Sequence, residues 1–224
     1  MSGPSPLPLL LSAARSPTRS VIGLVGEPGS GKTTLASQLA AAVNLALDDP
    51  TACLPLSMDG FHLPRSALDC GLPPSHPSPA ECHARRGAPW TFDAPALAAR
   101  LRSLLAPPPP APLPWPSFDH AVGDPVEGGV QVPAGCRLLL LEGLYLLHEG
   151  DGWEEVGGLL RCCLYLDTEP GVARGRLLRR HQAAWGLSEE AALARIEGND
   201  GLNAALVRAC KGRADMLVSS QEAT

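Results

Sequence analysis

Residues 26–33, GEPGSGKT, set three glycines, a lysine and a threonine in the spacing GxxxxGK[ST]. Glycines at these positions let the backbone wrap closely around an anion. Amide groups at the start of a following helix then direct positive potential at it. Gly26, Glu27, Pro28, Gly29, Ser30, Gly31, Lys32, Thr33 and Thr34 are therefore the expected contacts to the phosphates of a nucleotide. Lys32 would reach the β and γ phosphates, and the Thr33 hydroxyl would ligate Mg²⁺. Only two lysines occur in the chain, and one stands where a slender ammonium is wanted. A second candidate is Asp59 in SMDGFHL (57–63), a lone acid trailing an apolar run. A carboxylate at the carboxyl end of a strand can hold a substrate hydroxyl and accept its proton. The plainer alternative is an Asx-type turn beside Gly60. Glu142 is a third candidate: it closes the run LLLL and precedes glycine, as a strand-end ligand for Mg²⁺ would.

These residues need a frame. VIGLV (21–25) reads as a buried parallel strand entering the glycine-rich loop, and Leu35, Leu39, Val43 and Leu47 mark an apolar helix stripe after it. ACLPLSM (52–58) is a second strand, pushed towards a sheet edge by Pro55. CRLLLLEG (136–143), CCLYLD (162–167) and MLV (216–218) are three more. Residues 64–92 read as loop. A helix is expected from an Asp93 cap with Leu97, Leu101, Leu104 and Leu105 on one face, and another near Thr168 and Pro170. PPPPAPLPWP (107–116) reads as a surface connection, incompatible with helix interior or central strand. Strands alternating with helices over this length predict a parallel sheet covered on both faces.

The 224 residues, 45% apolar and 18% charged, suit one folded α/β domain. A net charge of −5 argues against nucleic acid or anionic membrane as partner. Seven scattered cysteines without a CxxC pair favour a reducing compartment, and Cys70, His76, Cys82 and His83 match no standard zinc spacing. The acid-free first twenty residues are expected to form a tail or short helix (1–19), although their serines and arginines also leave organellar import open. A cytoplasmic setting is the default reading. No NKxD or DxxG stretch occurs, which sets GTPase switches aside.

GEPGSGKTT, SMDGFH, RRGAPWTFD (85–93), PSFDHAVGDP (116–125) and LEGLYLL (141–147) occur in that order. Together they resemble the uridine kinase, phosphoribulokinase and pantothenate kinase branch of P-loop kinases, nearest its nucleoside/nucleotide-kinase-like members. The likeness spans about residues 20–220. It implies a three-layer α/β/α P-loop NTPase fold with a mainly parallel sheet of about five strands and a helical, arginine-bearing lid at 168–190. It implies ATP and Mg²⁺ as cofactors and a small hydroxyl-bearing acceptor, with a homodimer as one open assembly. Asp59 would be the base, and Phe61, His62, Arg86, Phe118, Asp119 and His120 would line the acceptor pocket. Glu142 would sit near Mg²⁺, and Arg176 and Arg180, on one helix face, would close over the transferred group. A nucleotide-binding regulatory or scaffold ATPase is the rival reading.

Overall fold

The computed structural model describes residues 5–71, 78–106, 111–119 and 122–219. In chain order they form α1 (Leu7–Ala14), β1 (Ser20–Gly26), α2 (Lys32–Leu47), β2 (Cys53–Ser57), α3 (Arg65–Asp69) and α4 (Pro79–Ala84). There follow α5 (Ala94–Leu105), β3 (Leu113–Asp119), β4 (Asp124–Val132), β5 (Leu138–Gly143), α6 (Trp153–Gly157) and β6 (Cys162–Asp167). The last elements are α7 (Pro170–Trp185), α8 (Glu189–Arg195), a π-helical turn (Ile196–Asp200), α9 (Gly201–Ala209) and β7 (Met216–Ser219).

Five parallel strands make the main sheet in the order β2-β5-β1-β6-β7. Its central strands are apolar on both faces because helices cover both sides. Alternation within them divides the core. Leu139 and Leu141 of β5 enter one cluster with Phe92, Leu97, Leu101, Trp115 and Trp153. Leu138 and Leu140 enter the other, with Leu10 of α1 and Leu35, Leu39 and Val43 of α2. Pro55 falls on β2, an edge of this sheet, where the ladder tolerates its missing N–H. This is the α/β fold that the motifs imply.

Three local expectations change. Residues 64–92 contain α3, α4 and a 3₁₀ turn over Pro89–Thr91 rather than loop alone. The stretch after the prolines is an antiparallel hairpin, β3 with β4, that composition had hidden. Pro114 and Pro116 fit there because a two-stranded ladder has open edges, and the register shifts between Trp115 and Ser117. The helix at 170 is capped by Glu169, whose side chain accepts from the Val172 amide, which leaves Thr168 to another partner. Asp93 caps α5 through the Ala96 amide, at 2.9 Å.

Candidate active site

The strand order converges the candidate chemistry. β5 lies between β1 and β2, and Glu142 is in register with Leu24 on one side and Ser57 on the other. The phosphate loop leaves β1, and the 3₁₀ turn bearing Asp59 leaves β2, so the two flank Glu142 at the carboxyl edge. Gly29 and Gly31 have φ of 76° and 95°, backbone that side chains disfavour. A Cβ at Gly29 would also run into the Ala173 carbonyl of α7. The loop thus packs against α7, and Lys32 opens α2 with its N-terminal amides towards the loop.

Glu142 is 4% exposed, and its Oε1 accepts from the Thr33 hydroxyl at 3.2 Å. Burial raises its carboxyl above the ordinary carboxylate range. The Lys32 ammonium opposes that rise, the Asp59 charge adds to it, and hydrogen bonds from Ser57 and Thr33 lower it. Asp59 is half-buried. The turn around it closes without its carboxylate: Ser57 Oγ accepts the Asp59 amide at 3.2 Å, and the Asp59 carbonyl accepts His62 N at 3.1 Å. The Asx-turn alternative therefore does not describe this segment.

Other candidates divide. His62 Nδ1 donates to the Asp59 carbonyl at 2.8 Å, and its ring lies 3.9 Å from Phe92 and 4.6 Å from Phe118. Phe61 is buried, edge-on to Trp115 at 4.9 Å, which makes it core rather than pocket wall. Arg86 faces the hairpin: it donates to Leu63 O and Asp124 Oδ1, both at 3.0 Å, and to Gly123 O. Asp119 closes β3 opposite Asp124, and His120 lies outside the described residues. Glu27 pairs its carboxylate with Arg208 of α9 at 2.6 Å. Arg176 donates to the Ser30 carbonyl at 2.7 Å, directly on the phosphate loop, while Arg180 is exposed one turn further along.

Several contributors are not among the expected site residues, although the stretch holding Asn199 and Asn203 (198–203) resembles an NDxxN motif of the same kinases. Thr168 donates to the same Ser30 carbonyl at 3.1 Å. Asn199 donates to Arg86 O at 2.9 Å, and Asn203 accepts from Arg85 at 3.3 Å. His83 meets Asp69 at 2.7 Å and Cys82 is buried, and the described residues hold no group of three metal-ligating side chains of the His, Cys, Asp and Glu type. Among the described residues no helix is long and apolar enough to cross a membrane.

No protein-family model matches the chain. A Schizosaccharomyces pombe protein provisionally named a uridine kinase is 39% identical over 191 residues, covering 84% of this chain and 78% of its own length. The chain belongs to the uridine kinase-like P-loop kinases. A second relative, an ATP-dependent kinase-like protein of Aspergillus versicolor, is 38% identical over 151 residues, 66% of this chain and 84% of its own. Among solved structures, a Silicibacter sp. TM1040 protein provisionally described as a fructose transport system kinase superposes on this chain with a TM-score of 0.80. The two are 30% identical, over 96% of this chain and 99% of that one.

Proposed function

We propose that the protein transfers the γ-phosphoryl group of ATP, with Mg²⁺, to a hydroxyl of a small metabolite. The observation that supports this best is Glu142, buried between the phosphate loop and the turn that carries Asp59. In this reading Asp59 holds the acceptor hydroxyl and takes its proton as the new O–P bond forms and the bond to ADP breaks. Lys32 offsets charge on the phosphates, and Arg176 and Arg180, on a lid over about 168–190, add positive charge and exclude water. Thr33 and Glu142 would hold the metal. Their oxygens are adjacent, and a buried acid whose ionisation is opposed by desolvation suits a divalent cation. When bound, Mg²⁺ neutralises phosphate charge. Phosphoryl transfer asks little covalent work of the protein, so positioning dominates.

The relatives' names favour a nucleoside or sugar as acceptor, and a pantothenate-like compound fits the same chemistry. The test is a metabolite pool incubated with ATP, Mg²⁺ and protein, followed by mass spectrometry for a phosphorylated product and by ADP release. Acceptor-dependent ADP with a matching product supports the kinase. ADP release that no compound stimulates would point to a slow nucleotide-dependent regulator instead.

A further inference from the structure

Arg85 and Arg86 are neighbours with different fates. The Arg86 side chain, 13% exposed, is consumed by two carbonyls and the Asp124 carboxylate, with Phe118 lying 5.5 Å beneath its guanidinium. It holds the hairpin against the segment that follows Asp59. Arg85 points elsewhere. Its guanidinium has no carboxylate partner among the described residues, and its one side-chain hydrogen bond goes to the neutral amide oxygen of Asn203. Asn203 is itself 2% exposed, an amide fixed inside the protein and four residues after Asn199, which holds the Arg86 carbonyl. Gly87, at φ 103°, turns the chain sharply just after the pair, and its carbonyl accepts the Tyr145 hydroxyl at 2.5 Å. Burial raises the pKa of that hydroxyl, the Arg85 charge opposes the rise, and the Asp200 and Asp59 charges add to it. Tyr145 therefore lies within electrostatic reach of the proposed base, of Asp200 and of this cation.

A half-buried guanidinium with only a neutral partner has lost part of its hydration without the return a carboxylate would give. An anion arriving with a substrate supplies that return, and the planar fork of arginine suits phosphate and carboxylate alike. We propose that Arg85, held by Asn203, recognises an anionic group, phosphate or carboxylate, on the phosphoryl acceptor. This rests on the kinase reading, which does not specify the acceptor's charge, and it replaces Arg86 as the acceptor-facing cation.

The test compares matched pairs on the full chain with Mg²⁺ and a non-hydrolysable ATP analogue filling the phosphate loop. The pairs are uridine with uridine monophosphate, fructose with fructose 6-phosphate, and pantothenol with pantothenate, so that phosphate and carboxylate arms stay separate. Calorimetry should find the anionic member of at least one pair bound about tenfold more tightly or better, the lower range for a charge-assisted hydrogen bond. Arg85→Gln should abolish that ratio and Arg85→Lys should retain most of it, with analogue affinity reporting that each variant is folded. The idea is overturned by equal or tighter binding of the neutral members, by no binding of any anionic member, or by a ratio unchanged in Arg85→Gln. ADP release with ATP in parallel samples separates the two readings. Anion binding without turnover sinks the kinase proposal alone, and turnover of neutral compounds indifferent to Arg85 sinks this one alone.

Discussion

At the site, two acids share the carboxyl edge of the sheet but stand in different surroundings, and the difference predicts how each responds to change. Asp59 is half-buried, with its carboxylate outside the turn that carries it. Asp59→Asn should keep nucleotide affinity while turnover on the acceptor falls by roughly 10²–10⁴, the usual range for a lost general base. Steady-state kinetics beside nucleotide titration would expose a near-normal rate, which the base assignment does not survive. Glu142 is buried with its pKa raised. A raised acid favours the folded state at pH below its unfolded value, and that contribution is lost as pH rises towards the folded value. Nucleotide-free protein should therefore lose stability relative to Glu142→Gln as pH climbs above the ordinary glutamate range, with thermal melts across pH as the measurement. Asp59, Glu142 and the phosphate loop were legible as sequence because each chemistry sits at a strand end. The choice between Arg85 and Arg86 was not. Asp124, which occupies Arg86, is 38 residues away and reaches it only through the hairpin.

Elements are joined to the site by a few polar ties. The π-helical turn at Ile196–Asp200 offers Asn199 to the Arg86 carbonyl, and Asp200 to the buried His181 of α7 at 2.7 Å. α7 in turn touches the phosphate loop through Arg176. The phosphate loop and the segment carrying Arg86 are thus tied to the same stretch, α7 with the turn at Ile196–Asp200. Asn199→Ala should leave nucleotide affinity within about twofold, as expected of a site with no shared partner. It should also speed amide exchange across 85–92 and raise the acceptor KM more than the ATP KM. Hydrogen exchange and the split between the two KM values check this, and slower exchange or an equal rise in both would contradict it. Element type was readable where apolar periodicity was strong, as in α2, α5 and the sheet strands. It failed at 113–116, where the prolines of 107–116 suggested a surface connection, because open hairpin edges accept what a central strand rejects. Strand order was also hidden, since long-range pairing leaves no mark on local periodicity.

Across the molecule, two cores sandwich the sheet, and α1 closes one of them with the fully buried Leu10. Leu10→Ala should cost about 2–5 kcal/mol of stability, the range for truncating a buried leucine. At roughly 2–4 °C per kcal/mol for a chain of this size, the melting temperature should fall well outside measurement error while α7–α9, which pack elsewhere, keep their nucleotide-side contacts. Calorimetric melting decides it, and an unchanged midpoint would show that α1 is dispensable to the core. The two borders of the sheet also differ. On β2, Pro55 has no N–H to offer an incoming strand. β7, at the opposite border, has no proline, and Leu217 is 45% exposed; among the described residues no strand pairs with its outer side. Unpaired backbone beside exposed apolar surface is where strands of different molecules join. Aggregation through the main sheet therefore favours one of its two borders, and it is the one remote from Asp59.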